Sequence, residues 1–199
     1  MHQRKALARI GDKQEMTDAE AIRRSLDNAE SFRPVFEHHF DAVWRYLRRR
    51  IGVHLADDLA AETFALAFAG RRRFRPLGNS ALPWLYGIAA NLVARHHRAE
   101  TRRLRAYASH GALPAEELDT ESLLGRLAAA DCGRQLADAL GALRPADRET
   151  LLLSAISDLT HAEVGEALGV AAGTVAARLH RMRPTLLAAL TSTSMGALR

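Results

Sequence analysis

THAEVGEALGVAAGTVAARLHRMR, residues 160–183, is the stretch on which the reading of this chain turns. Thr160 followed by Glu163 is a capping box, in which each side chain can satisfy a backbone donor at a helix start. Val164 and Leu168 lie four apart on one face, and Gly169 stands where that helix must stop and turn. Val170 plugs the turn, and Val175 and Leu179 form the apolar stripe of a second helix. Its outer face carries Arg178, His180, Arg181 and Arg183. A capped helix, a glycine turn and a second helix with a basic face is the geometry that places side chains in a DNA major groove. An ordinary helical hairpin with a solvated basic face would show the same local pattern, so the rest of the chain has to decide.

Composition favours a polyanionic partner. Lys plus Arg total 28 against 23 Asp plus Glu, a net charge of +5, and the basic residues are almost all arginine. Arginine suits bidentate contacts to phosphate and base edges. The 199 residues allow one or two domains with modest cores. A single cysteine, Cys132, excludes an internal disulfide framework and a cysteine-based zinc cluster. No apolar run approaches the roughly 18 residues that span a bilayer. The first residues, MHQRKALARIGDKQEMTDAE, are too polar for a signal peptide. A reducing, cytoplasmic setting without membrane insertion is expected, and no cofactor is implied.

Alternating apolar and polar runs are absent while Ala and Leu dominate, so the expected fold is all-α. Val35, Phe36, Phe40, Val43, Trp44 and Leu47 recur at helical spacing between Pro34 and Gly52. A second helix is expected from about Asp57, with Leu59, Phe64, Leu66 and Phe68 inward, and Asp57 and Asp58 could serve merely as first-turn acids. Arg71, Arg72, Arg73 and Arg75 follow, and Pro76, Gly78, Asn79 and Ser80 mark a loop. Pro83 then suits the first position of a helix running to about Arg105. Its buried stripe would be Trp84, Leu85, Ile88 and Leu92. Asn91, Arg95, Arg98, Arg102 and Arg105, spaced four, three, four and three, line one outer face. Four guanidinium groups in a row make a track for a phosphate backbone, and Asn91 at its head can read a base edge.

The division expected is an N-terminal extension (1–17), a helical block (18–107), an acidic linker (108–122), a second unit (123–190) and a frayed tail (191–199). The linker carries Glu116, Glu117, Asp119 and Glu121, opposite in sign to both flanking blocks. In the second unit Leu136, Leu140 and Leu143 share one helix, and Pro145 opens another with Leu151, Leu152 and Ile156 inward.

Three segments together, DDLAAETFALAF (57–68), ALPWLYGIAANLVARHHRAETRR (81–103) and the stretch from Leu140 to Arg183, resemble bacterial RNA polymerase sigma factors of the extracytoplasmic-function group. That group keeps only the second and fourth domains of the sigma-70 family. The resemblance implies a transcription initiation factor that binds core RNA polymerase, recognises minus-ten and minus-thirty-five promoter elements and promotes melting. Asp58 and Glu62 would contact the polymerase's largest subunit. The loop from Arg75 to Leu82, with Asn79 and Ser80, would capture a flipped minus-ten base. Asn91, Arg95, Arg98 and Arg102 would hold the non-template strand, and Trp84 would be core at the base of the loop. Thr174, Arg178, His180 and Arg181 would face the minus-thirty-five element. The linker would thread toward the polymerase active centre, and an anti-sigma factor is a possible partner.

Some positions depart from the family pattern. Ala61 stands where Gln is usual, and Ala176 and Ala177 stand where Lys or Arg followed by Ser are common. A stand-alone helix-turn-helix regulator with a helical sensing domain would account for the C-terminal half, but not for the arginine track or the acidic linker. An enzyme is a poorer reading still. His38–His39 and His96–His97 are adjacent pairs rather than spaced by three or four, and no nucleophile–base set stands out.

Overall fold

A computed structural model describes residues 16–75, 78–109 and 134–196, and among these the regular structure is entirely helical. Helix α1 (Asp18–Arg24) is capped by Thr17, whose hydroxyl accepts from the Glu20 N–H. After a short 3₁₀ turn (Ala29–Phe32), α2 (Arg33–Ile51) carries Pro34 in its first turn and ends at Gly52. Helix α3 (Val53–Gly70) follows at once, and α4 (Leu82–Ser109) comes after a second 3₁₀ turn (Arg71–Arg73) and the loop. The second unit contains α5 (Arg134–Ala142), α6 (Pro145–Ile156), α7 (His161–Leu168) and α8 (Ala172–Gly196). The expected linker lies outside the described residues from 110 onward, as do Cys132 and most of the N-terminal extension. Helix α4 covers 108 and 109, and α8 continues to Gly196 where fraying after Leu190 was expected.

The first block packs α2 along α3 and both against α4. Phe64 of α3 is buried as expected, while the start of the helix and the rest of its buried stripe differ from the expectation. The helix begins at Val53, four residues ahead of Asp57, and its buried stripe is Ala56, Ala60, Thr63, Phe64 and Ala67. Small side chains at that spacing let the helices approach closely, which pushes large flanking residues to the rim. Leu66 is accordingly 43% exposed and Phe36 on α2 is 41% exposed, although both were expected inside. Asp57 is not a first-turn acid either; its carboxylate accepts from the Trp44 indole N–H at 2.7 Å.

In the second unit Arg148 closes α5 by donating to the carbonyls of Leu140, Gly141 and Leu143, which satisfies the acceptors a helix end leaves over. Leu153, Val164 and Val175 belong to the same buried cluster as the core of the first block, so the two units share a continuous apolar interior. Helices α4 and α7 meet at Gly87, where an added Cβ would lie 2.5 Å from the Ala167 carbonyl oxygen. Only glycine permits that approach.

Candidate nucleic-acid interface

Helix α4 presents the arginine track as its periodicity dictates. Asn91, Arg95, Arg98, Arg102 and Arg105 are all exposed, while Leu85, Ala89, Leu92 and Val93 are buried behind them. Arg98, Arg102 and Arg105 form no ion pair with another described residue. Between this face and the end of α3 lies a groove of about 480 Å³. Its floor is apolar (Leu66, Trp84, Ile88) and its rim carries Asn91, Arg95 and Arg98. An aromatic floor under a guanidinium rim fits an unstacked base joined to a phosphate. The exposed Leu66, at odds with a core role, is part of that floor.

The loop ahead of α4 is described at Arg75 and again from Gly78, while Pro76 and Leu77 lie outside the described residues. Arg75 and Asn79 are exposed, and Ser80 and Leu82 are half-buried. Arg75 folds back on the chain, donating to the carbonyls of Phe74 and Arg72. Ser80 Oγ accepts from the Leu82 N–H at 3.1 Å and so caps the start of α4. Ser80 and Leu82 also line a cavity of about 510 Å³ that α2 and α6 close from the other side. The structure thus separates them from the α4 groove. Phe74 packs on Trp84 with ring centroids 4.8 Å apart, so Trp84 supports the loop as well as flooring the groove.

The two acids on α3 behave differently. Asp58 is exposed and pairs with no described residue. Glu62 forms an ion pair with Arg95 across the α3–α4 junction, bringing together one residue expected at polymerase and one expected at DNA. Arg95 is exposed and Glu62 more than a third exposed, so solvent screens the pair and it adds little stability.

The helix-turn-helix has the detail the sequence implies. Thr160 and Glu163 form the complete capping box. Their mutual hydrogen bonds, first from the Thr160 hydroxyl and then from its N–H, hold the Glu163 carboxyl below the usual range. Gly169 takes the left-handed conformation (φ 66°). Gly169 N–H bonds back to Glu166 and Val170 N–H to Gly165, the Schellman ending of α7. On α8, Thr174, Ala176, Ala177, His180 and Arg181 are exposed and Val175 is fully buried. Arg178 departs from the expectation. It is half-buried, donates to Thr150 Oγ1 at 3.1 Å and to the Ala146 carbonyl, and stands 3.6 Å from Asp147. Arg181 reaches the same carboxylate at 3.3 Å while its side chain stays 64% exposed. The sequence reading missed Asp147 and Thr150, which are buried polar residues on α6. An acid in the first turn of a helix is too common to have flagged the pair.

No group of three or more potential metal ligands occurs among the described residues, and no described helix is long and apolar enough to cross a membrane.

The chain matches two family profiles in order along its length. Sigma-70 region 2 matches residues 35–103 and Sigma-70, region 4 matches residues 133–186. The RNA polymerase sigma factor CarQ of Myxococcus xanthus is 34% identical over 164 residues, covering 80% of this chain and 90% of that protein. The ECF RNA polymerase sigma factor SigE of Mycolicibacterium smegmatis is 34% identical over 161 residues, covering 78% of this chain and 60% of its own length. Among solved structures, the sigma factor RpoE of Bartonella quintana, in complex with the anti-sigma factor NepR, shares the fold. It has a TM-score of 0.54 and 21% identity, and the likeness covers 81% of this chain and 98% of that one.

Proposed function

This chain belongs to the extracytoplasmic-function group of the sigma-70 family, and from that premise we propose how its surfaces divide the work of a transcription initiation factor. As a sigma factor it binds core RNA polymerase and directs it to promoter DNA. The first block is the minus-ten domain. Its α4 groove takes unstacked non-template bases, Asn91 supplies a base contact, and Arg95, Arg98 and Arg102 guide the phosphates. The Arg75–Leu82 loop reads a neighbouring base, with Asn79 as its exposed polar group. The helix-turn-helix reads the minus-thirty-five element through Thr174, His180 and Arg181, with Arg178 holding α8 against α6. Asp58 carries the polymerase contact more than Glu62 does. The protein works in the cytoplasm, and an anti-sigma factor is among its partners, as NepR is for the Bartonella relative.

The observation that carries this reading is the α4 groove, in which an apolar floor of Leu66, Trp84 and Ile88 meets the head of the arginine track. Permanganate footprinting of holoenzyme on a promoter mapped from an overexpressing strain tests it. Asn91→Ala is expected to form closed complexes normally yet lose most of the reactivity of melted thymines. Arg98→Ala is expected to weaken every promoter and reduce the salt slope by about 0.7–0.9. Normal melting by Asn91→Ala would remove the groove from strand capture.

A further inference from the structure

The loop that precedes α4 is held from a distant part of the chain. Asp18, the first residue of α1, has a carboxylate side chain only 9% exposed. Its Oδ2 accepts two hydrogen bonds, from Nε2 of His39 at 2.6 Å and from the N–H of Ala81 at 2.6 Å. Ala81 is fully buried and is the last residue before α4. Its own carbonyl accepts the first bond of that helix, from the Leu85 N–H at 3.0 Å. One acid, 63 positions away in sequence, therefore fixes the backbone where the loop becomes the helix. The other end of the loop is held by Phe74 on Trp84.

Nothing else described satisfies this N–H, and a buried N–H without an acceptor is costly enough for the backbone to move instead. Burial alone would raise the Asp18 carboxyl. The hydrogen bonds from His39 and Ala81, with the charge of His39 and His38, outweigh it and hold the group below the usual carboxylate range. His39 in turn is only 13% exposed, so packing restricts both members of the pair.

We propose that Asp18 and His39 are positioning residues for minus-ten recognition, setting the pose of Gly78–Leu82, the end of the loop that enters α4, through the Ala81 N–H. Neither side chain touches DNA. Both act by fixing one end of a short loop whose exposed Asn79 must meet a base, where an error of about 1 Å is enough to spoil recognition. The role rests on the assignment of that loop to minus-ten DNA.

The test uses holoenzyme carrying the full chain as wild type, Asp18→Ala, Asp18→Asn, His39→Phe or Asn79→Ala. The DNA is a promoter mapped by transcript 5′-end sequencing, together with versions carrying single substitutions across the minus-ten element. Open complex is read by permanganate, with core affinity and thermal unfolding measured beside it. Wild type should prefer the cognate element by about tenfold or more at the base pair the loop reads, and Asp18→Ala should reduce that preference to about twofold. Asp18→Asn retains an oxygen for the Ala81 N–H and should stay within about threefold of wild type. A purely structural role would lower opening on all promoters by one factor and leave the preference intact, which would overturn the proposal. If Asp18→Ala does not fold, His39→Phe supplies the same comparison with the same two outcomes. Asn79→Ala separates the failures. If it flattens the preference while the Asp18 and His39 variants do not, positioning alone is wrong. If none of the three changes the preference, the loop is not a reader and the positioning role falls with it.

Discussion

Arg178 and Arg181 stand three residues apart on α8 and share the Asp147 carboxylate, yet their surroundings give them different work. Arg178 donates to Thr150 and Ala146 inside the second unit, whereas Arg181 extends into solvent with one restraint. Arg178→Ala should therefore lower stability by about 1–3 kcal/mol, because it leaves the buried Asp147 and Thr150 short of a partner. Arg181→Ala should leave the melting temperature unchanged and cost about 1–3 kcal/mol on a cognate minus-thirty-five duplex. Thermal unfolding paired with duplex anisotropy separates the two, and equal loss by Arg181→Ala on scrambled DNA would deny it a base contact. The acids of α3 divide likewise. Asp58 has no described partner, while Glu62 is engaged by Arg95. Asp58→Arg should weaken core polymerase binding by at least the roughly 1 kcal/mol of a rim charge pair. Glu62→Gln should have a smaller effect on core and should change DNA binding by freeing Arg95. If Glu62→Gln costs more core affinity than Asp58→Arg, the assignment between them is reversed.

Helices made by local rules were legible, and helices shaped by their neighbours were less so. The capping box and the Gly169 turn of α7 each depend on residues within one or two turns, so spacing alone revealed them. The arginine face of α4 is a matter of period and was equally plain. Helix α3 was read only in part: Phe64 is buried as its spacing implied, but Leu66 is not, and Thr63 with the alanines at 56, 60 and 67 completes the packed stripe. Periodicity says that a face turns inward without saying how closely the next helix approaches. The cap also has a measurable consequence. Glu163 is lowered in the folded protein, so its contribution is present above the unfolded glutamate value of about 4.3 and is lost as pH falls through the lower folded value. Thr160→Ala should cost about 0.5–2 kcal/mol near neutral pH. That difference from wild type should shrink in urea titrations carried below the carboxylate range. A gap that stays constant down to strong acid would mean Glu163 does not support the cap in solution.

Across the whole molecule, the decisive contacts join residues that no local pattern connects. Arg50 and Glu149, 99 positions apart, form a two-bond ion pair at 2.6 and 2.8 Å between α2 and α6. The Tyr46 hydroxyl donates to the same carboxylate at 2.9 Å and accepts from Arg50 at 2.9 Å. The amphipathic reading of α2 passed over Tyr46 and Arg50, because an arginine in a buried position is interpretable only once its partner is known. Burial alone would make the Arg50 guanidinium easier to deprotonate, but Tyr46 and Glu149 beside it raise its pKa above the usual value and keep it charged. Such a charge is tolerable at a 6% exposed position only while it is paired. Glu149→Leu removes the acceptor from both Arg50 and Tyr46, a change that costs about 3–5 kcal/mol if the two units stay together. Parting the seam and returning Arg50 to water relieves that cost. The expected outcome is a larger radius of gyration by small-angle X-ray scattering and faster proteolysis between the units, with the helices retained by circular dichroism. Adding Arg50→Met together with Tyr46→Phe should restore compactness, since the apolar replacements remove both the stranded charge and the hydroxyl left without a partner. Gly87→Val should open the same seam with the ion pair intact, because its side chain would collide with the Ala167 carbonyl. A compact Glu149→Leu variant with wild-type stability would show that the apolar cluster alone joins the units and that the ion pair only decorates their seam.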